Sequence, residues 1–208
     1  AAEAYANGWW TAVDLTMLIR IIVRNRKASV AIDGWSTRLA MLVHRIRHRL
    51  RLNRKRQSRR NISAHYDLGN EFFSLFLDPT MTYSCAIFQE RETNLEQASR
   101  LKLDLICRKL QLSPDDHLLE IGSGWGSLAL HAASAYGCEV TTTTISDSQY
   151  DYVCRQVESV GMSSRIHVIK VDYRDLPQCV GRRFEKVASV EMIEAVGYEF
   201  LDTYFEIC

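Results

Sequence analysis

The chain has 208 residues, of which 47% are hydrophobic and 25% charged, a composition typical of a soluble globular protein. It contains no run of about 18 uncharged apolar residues and no basic start followed by an apolar stretch, so neither a transmembrane helix nor a signal peptide is expected. Its six cysteines are scattered, which argues against a zinc site or a disulfide framework and favours a reducing cytosolic compartment.

The net charge of +1 conceals two parts of opposite charge. Residues 1–60 carry 14 Lys/Arg against 3 Asp/Glu, whereas residues 61–208 carry 12 against 22. We therefore predict two domains, 1–60 and 61–208. The final residues, FLDTYFEIC, follow a helical pattern without a cap or stop signal, which predicts that the sequence is a fragment of a longer protein.

Residues 1–60 are predicted to form a helical, basic region. One helix is expected over 12–26 and a second from about Ser36, because apolar residues recur there at helical spacing. The stretch from Arg45 to Arg60 holds nine Lys/Arg and no acidic residue. Such a segment binds anionic lipid or nucleic acid in some proteins and is a solvated helix flank and linker in others. The sequence of this region alone supports both interpretations.

From residue 93 the pattern alternates between helices and strands. A helix over 93–112 would begin with a capping box of Thr93 and Glu96, and a helix over 146–161 with one of Ser146 and Gln149. Between them, a helix over 127–137 would end at Gly137. Short strands are predicted at 117–122, 138–145, 165–172 and 184–192. This alternation is typical of a parallel sheet covered by helices.

A glycine loop, in LLEIGSGWGSLAL, joins the first strand to the next helix. Gly122, Gly124 and Gly126 leave room for a ligand near the backbone, and the helix N-terminus offers free N–H groups. The spacing is GxGxG rather than the GxGxxG of dinucleotide-binding folds, and Glu120 lies two residues upstream, where a carboxylate suits a cationic ligand. The loop resembles the first motif of class I S-adenosylmethionine-dependent methyltransferases. A tight structural turn is the alternative.

Two strand ends bear on this resemblance. Asp172, in VDYRDL, ends the third predicted strand, where such methyltransferases commonly place an acid near the adenine. The second strand ends in TTTTIS and lacks an acidic residue for the ribose hydroxyls.

Four segments narrow the resemblance to one family. HYDLGNEFFSLFLDPTMTYSCAIF, LEIGSGWGSLALHAA, TTTTISDSQYDY and SVEMIEAVG resemble cyclopropane-fatty-acyl-phospholipid synthases and the related mycolic acid cyclopropane synthases, in the same order, across residues 61–208. The resemblance implies an α/β, Rossmann-like class I methyltransferase fold that is incomplete, because its last strands lie beyond residue 208. A small helical region over residues 1–60 would precede it.

The resemblance implies a reaction and its partners. Members of the family transfer a methyl group from S-adenosylmethionine to a cis double bond of a phospholipid acyl chain, and bound bicarbonate takes the proton whose loss closes the ring. The expected partners are S-adenosylmethionine, bicarbonate, a phospholipid with unsaturated acyl chains and an anionic membrane surface. We expect a cytoplasmic enzyme, peripheral at the inner membrane, that does not bind nucleic acid; a homodimer is left open. Methylation without ring closure and an inactive cofactor-binding fragment are the alternatives.

Individual catalytic roles follow from the same resemblance. Cys85 and Glu194 match residues at the bicarbonate site, and Glu191 is the alternative to Glu194. Cys85 would then be a ligand rather than a nucleophile, whereas without the resemblance a lone cysteine is most simply a core residue. Tyr66 matches an aromatic residue near the reacting carbon, with a buried structural tyrosine as the alternative.

The predicted cofactor-binding residues come from the glycine loop, from the segment before it and from the strand ends that follow. They are Tyr83, Ser84, Glu120, Gly122, Gly124, Gly126, Ile145, Gln149, Asp172 and Tyr173. Gln149 would also suit a role as a helix cap alone. Two departures stand out: Ala195 replaces a histidine that the family often has, and the family's histidine and tyrosine bicarbonate ligands lie beyond Cys208.

Overall fold

A computed structural model of the chain describes residues 2–25, 69–91 and 93–208. The predicted second helix from Ser36, the basic stretch from Arg45 to Arg60 and Tyr66 lie outside these residues. The chain divides into two compact units, Ala1–Arg51 and Leu52–Cys208. The predicted boundary at residue 60 also falls outside the described residues and stays a prediction.

The N-terminal unit contains two described helices, α1 (Ala2–Ala6) and α2 (Leu15–Arg24). Helix α2 begins after Asp14, whose side chain accepts a hydrogen bond of 2.8 Å from the backbone N–H of Met17. This N-cap satisfies one of the free N–H groups at the start of the helix, and the predicted helix over 12–26 is confirmed. No described helix is long and apolar enough to cross a membrane.

The C-terminal unit is built on a sheet of four parallel strands. These are β1 (His117–Ile121), β2 (Glu139–Thr144), β3 (Ile166–Lys170) and β4 (Lys186–Ala188), in the spatial order β3-β2-β1-β4. The chain moves outward from β1 to β3 and then returns to the other side of β1. This reversal opens a crevice at the carboxyl ends of β1 and β4, where ligands bind in open parallel sheets.

Helices cover and flank the sheet, as the alternating pattern predicts. They are α3 (Gly69–Ser74), α4 (Leu95–Leu110), α5 (Ser127–His131, continued by a π-helical turn over Ala132–Tyr136), α6 (Asp147–Ser159), α7 (Leu176–Val180, after a 3₁₀ turn over Tyr173–Asp175), α8 (Ile193–Val196) and α9 (Leu201–Ile207, after a 3₁₀ turn over Tyr198–Phe200).

The helix ends correct two details of the sequence prediction. The capping box of α4 is formed by Asn94 and Gln97, one residue later than predicted, because the Asn94 side chain accepts from the Gln97 N–H and the Gln97 side chain accepts from the Asn94 N–H. Ser146 caps α6 as predicted. The Gln149 side chain does not complete that box, since its oxygen accepts a hydrogen bond of 3.0 Å from the Thr144 hydroxyl.

The core lies on both faces of β1, all of whose residues are buried. Because side chains alternate across a strand, Leu118 packs in one hydrophobic cluster with Val140 and Cys107, and Leu119 packs in another with Tyr204. Burial raises the pKa of the Cys107 thiol to about 12, so this cysteine is an uncharged core residue. The fully buried central strand fixes the position of the glycine loop that follows it.

Candidate functional site

A cavity of about 570 Å³ occupies the crevice at the carboxyl ends of the strands. It is lined by the glycine loop, by segments that follow β2, β3 and β4, by the stretch before α4, and by α4 itself. A volume of this size is typical of sites for cofactors and other small molecules.

The glycine loop is held against the end of β2. The backbone N–H groups of Gly122 and Ser123 both donate to the carbonyl oxygen of Thr143, at 3.0 and 2.8 Å. Gly124 lines the cavity with φ +51°, and a Cβ added there would meet no atom of the described residues within 4 Å. The backbone at this point is therefore open to a ligand.

Gly126 serves a different purpose from the other two glycines. It is not among the residues that line the cavity, and an added Cβ would lie 2.9 Å from Cγ1 of Val153. Its missing side chain lets α5 pack closely against α6. The structure thus gives Gly126 a packing role, and its predicted contact with the cofactor has no support in this geometry.

Glu120 is a buried acid in the wall of the cavity. Its carboxyl accepts a hydrogen bond of 2.5 Å from the Thr142 hydroxyl, and burial raises its pKa to about 8. The side chain is therefore mostly protonated at neutral pH. A cation placed beside it would favour the ionised form and lower this pKa.

Two further side chains in the cavity wall each carry a buried polar atom that lacks a hydrogen-bond partner among the described residues. The side-chain nitrogen of Gln149 and the hydroxyl of Tyr173 have no hydrogen-bond partner within the described residues, and both residues line the cavity. A buried polar atom without a hydrogen bond destabilises the folded protein, so a ligand that forms hydrogen bonds with these two atoms would bind more tightly.

Asp172 lines the cavity, but its carboxylate is engaged by Arg174. The guanidinium donates from Nε at 2.8 Å and from Nη2 at 2.6 Å, one bond to each carboxylate oxygen. Both side chains are nearly inaccessible to solvent. A buried bidentate pair of this kind has a structural role, and the predicted adenine contact of Asp172 stays a prediction.

An aromatic wall closes the side of the cavity near α3. The ring centroid of Trp125 lies 4.7 Å from that of Phe73 and 5.8 Å from that of Tyr83. The Trp125 indole N–H donates to the side-chain oxygen of Asn70 at 2.9 Å, which ties α3 to the glycine loop.

Lys102 is the functional candidate that the sequence analysis missed. It lies on the buried face of α4, lines the cavity and donates a hydrogen bond to the hydroxyl of Ser84. Burial lowers the pKa of its ammonium group, while the charge of Glu191 opposes that shift. The sequence signal for Lys102 was its position on the apolar stripe of α4, one turn after Ala98, where a charged residue is unusual.

Cys85 and Glu191 are joined across the rim of the cavity. The backbone N–H of Cys85 donates to Oε1 of Glu191 at 3.0 Å. A hydrogen bond and the negative charge of Glu191 raise the pKa of the Cys85 thiol, which keeps it protonated and argues against a nucleophile. Glu191 is thus the glutamate that contacts Cys85. Glu194 also lines the cavity, but among the described residues no hydrogen bond joins it to Cys85.

The cavity brings together most of the predicted site. The predicted residues that line it are Tyr83, Ser84, Glu120, Gly122, Gly124, Ile145, Gln149, Asp172, Tyr173 and Glu194. Cys85 is adjacent to the cavity through Glu191, Gly126 packs against Val153 and does not line the cavity, and Tyr66 is outside the described residues.

A family model for mycolic acid cyclopropane synthetase matches residues 53–208. The chain belongs to this family. The part that matches the mycolic acid cyclopropane synthetase model contains every residue that lines the cavity. The resemblance read from the four sequence segments is confirmed.

Individual relatives agree with the family model. The chain is 36% identical over 205 residues to the cyclopropane-fatty-acyl-phospholipid synthase of Escherichia coli K12, covering 99% of this chain and 50% of that protein. It is 44% identical over 150 residues to a probable fatty acid methyltransferase of Pseudomonas putida, covering 72% of this chain and 38% of that protein. The chain therefore spans half or less of the length of these relatives.

A solved structure confirms the fold. The mycolic acid cyclopropane synthase CmaA1, complexed with SAH and CTAB, matches with a TM-score of 0.66 and 34% identity, covering 72% of this chain and 51% of that one. The α/β fold with a parallel sheet and flanking helices is the one predicted from the sequence.

Proposed function

We propose that this protein carries out S-adenosylmethionine-dependent transfer of a one-carbon unit to the cis double bond of an unsaturated phospholipid acyl chain, closing a cyclopropane ring. The observation that carries the proposal is a 570 Å³ cavity at the reversal of a parallel sheet, lined by a GxGxG loop and a buried glutamate, in a member of the cyclopropane synthetase family.

The residues of the glycine end fit S-adenosylmethionine. Gly124 offers open backbone, Gln149 and Tyr173 offer unpaired polar atoms, and Glu120 offers a carboxyl whose ionisation a cation would favour. When bound there, the cofactor supplies a methyl group on an electrophilic sulfonium centre. The chain's own task is to hold that centre in a fixed orientation, since alignment is a large part of the barrier for a weak nucleophile such as an alkene.

The aromatic wall suits the next requirement of the reaction. Transfer of a methyl cation to an alkene leaves positive charge on the acyl chain. The rings of Tyr83 and Trp125 both line the cavity, and aromatic rings beside the reacting atoms would stabilise such a cation.

The reaction ends with loss of a proton to a base. The resemblance predicts bicarbonate in this role, held at Cys85 and Glu194, and this stays a prediction. The described residues do not fit it well, because the Glu191 carboxylate already accepts a hydrogen bond from the Cys85 N–H at the predicted anion position. We therefore assign no step of the reaction to bicarbonate.

Membrane binding is a separate part of the proposal. We expect the enzyme to bind peripherally to anionic membranes through the basic stretch from Arg45 to Arg60, because the substrate double bond lies within a bilayer. Each such charge contributes about 1 kcal/mol near an anionic surface. Binding to anionic vesicles should exceed binding to neutral ones and should weaken as salt is added. Equal binding to anionic and neutral vesicles that does not change with salt would contradict membrane binding through this basic stretch.

Product analysis tests the reaction. The full-length protein should convert vesicles of an unsaturated phospholipid to a product with the NMR signals of cyclopropane ring protons, in a manner that depends on S-adenosylmethionine. The similarity to the probable fatty acid methyltransferase of Pseudomonas putida supports an alternative, methylation without ring closure. A branched or methylene product without ring signals would favour that alternative, and no change in the lipid would contradict both.

A further inference from the structure

Glu191 has a backbone conformation that glutamate rarely adopts. Its φ is +56°, in the left-handed region that favours glycine. Gln111, with φ +52°, has an ordinary reason for the same conformation because it is the C-cap of α4. Glu191 follows β4 and ends no helix, so other contacts hold it in this strained conformation.

Those contacts come from distant parts of the chain and meet at the cavity. The Cys85 N–H donates to the Glu191 carboxylate, and the buried ammonium of Lys102 acts on it electrostatically. Lys102 is in turn held by Ser84, the residue before Cys85. A strained residue whose carboxylate is held at the edge of a ligand cavity indicates function rather than chance.

We propose that Glu191 is the base of the reaction and occupies the anion position beside Cys85 that bicarbonate is predicted to fill. This inference rests on the proposed function, since it names the proton acceptor of that reaction. It differs from the prediction of an external anion in that the base is part of the chain.

The alkene π pair forms a bond to the transferred methyl carbon as the bond from that carbon to sulfur breaks, and the adjacent alkene carbon becomes cationic. A C–H bond of the new methyl group then breaks. Its electron pair forms the second ring bond to the cationic carbon, and the proton passes to the Glu191 carboxylate.

Two anions cannot share this position at low cost. The Cys85 N–H already has an acceptor, so a bicarbonate bound there would have to displace the Glu191 carboxylate from it. Wild-type protein should therefore neither bind nor require bicarbonate. Removing the Glu191 side chain should create the anion site.

The test uses full-length protein, wild type and the variants Glu191→Gln and Glu191→Gly, with Gln111→Gly as the matched control. Gln111→Gly relieves the same backbone strain away from the cavity. Three quantities are measured for each protein: S-adenosylmethionine affinity by calorimetry, binding of ¹³C-bicarbonate by NMR, and product formation in CO₂-depleted buffer with and without added bicarbonate.

Glu191→Gln should lower turnover by at least about 100-fold, the contribution typical of a positioned base, while cofactor affinity is kept. Glu191→Gly should bind ¹³C-bicarbonate and recover activity when it is added. Wild type and Gln111→Gly should show neither effect. Recovery of activity in Glu191→Gly would exclude a purely structural role for the side chain.

Bicarbonate binding to wild type, loss of wild-type activity on CO₂ depletion, or near-normal turnover in Glu191→Gln would each overturn the inference. A wild-type protein that forms no lipid product would instead defeat the proposed function. In that case the bicarbonate titration still decides the inference, because it reports whether Glu191 occupies the anion position without any turnover.

Discussion

Two parts of the cavity wall differ in how their polar groups are paired: the glycine end, with Glu120, Gln149 and Tyr173, and the rim at Cys85 and Glu191. At the glycine end, Gln149 and Tyr173 each keep a buried polar atom that has no hydrogen-bond partner in the described part of the chain, and Glu120 is mostly protonated at neutral pH. At the rim formed by Cys85 and Glu191, the Cys85 N–H donates to the Glu191 carboxylate and Lys102 donates to the Ser84 hydroxyl. The first end is arranged for a ligand that brings its own polar and cationic groups, and the second is already satisfied by the chain.

The largest expected effect concerns the buried ion pair of Asp172 and Arg174. Asp172→Asn should remove the charge of the bidentate partner of the buried Arg174 guanidinium and lower the free energy of unfolding by about 3 kcal/mol. The matched control is Asp147→Asn, which removes an exposed pair with Lys170 and should cost less than about 1 kcal/mol. Urea denaturation measures both, and equal losses would show that the Asp172 pair is not structural.

A second prediction separates the packing glycine from the ligand glycines. Gly126→Ala should destabilise the protein by about 2 kcal/mol, because the new Cβ would overlap Val153 as well as strain the backbone. Gly161→Ala, at a positive φ with open space around it, should cost only about 1 kcal/mol of backbone strain. Thermal unfolding compares the two. A smaller loss for Gly126→Ala than for Gly161→Ala would contradict its packing role.

The raised pKa of Glu120 predicts that cofactor affinity depends on pH. A bound cation lowers the pKa of this carboxyl, so the complex holds fewer protons than the free protein. Affinity should therefore rise with pH, by at most about tenfold per unit, and level off above about pH 8. Calorimetry across this range measures it. Glu120→Gln should remove this contribution, and an unchanged slope in that variant would assign the pH dependence to another group.

The smallest expected effect on stability concerns the strained backbone of Glu191. Glu191→Gly should raise the free energy of unfolding by about 1 kcal/mol by relieving its left-handed backbone. For a chain of this size that corresponds to a rise in Tm of about 2–4 °C. Gln111→Gly should give a similar rise without loss of activity. A lower Tm for Glu191→Gly would show that its contacts with Cys85 and Lys102 outweigh the strain.

The glycine end was largely predictable from sequence because its signals are local. GxGxG, Glu120 two residues upstream and the alternating strands each follow from short stretches, and the structure brings them to one edge of the sheet. The capping box of α4 was misplaced by one residue because Thr93–Glu96 and Asn94–Gln97 have the same spacing. Local spacing cannot choose between two such pairs.

The rim at Cys85 and Glu191 was harder to predict because it depends on a contact between residues far apart in sequence. Cys85 and Glu191 are 106 positions apart in sequence, and nothing near either residue indicates that one bonds the other. Glu191 was therefore only the alternative to Glu194. The role of Gly126 was also hidden, since its contact with Val153 depends on how α5 packs against α6.

The central claim is that the glycine end of the cavity binds S-adenosylmethionine, and calorimetry on a pair of glycine variants tests it most directly. Gly124→Val places a side chain at open backbone in the cavity, whereas Gly161→Val imposes a comparable backbone strain outside it. We predict saturable binding to wild type and Gly161→Val, and no measurable binding to a Gly124→Val protein that melts as cooperatively as Gly161→Val. Unchanged affinity in Gly124→Val, or no binding by the wild-type protein, would contradict the account.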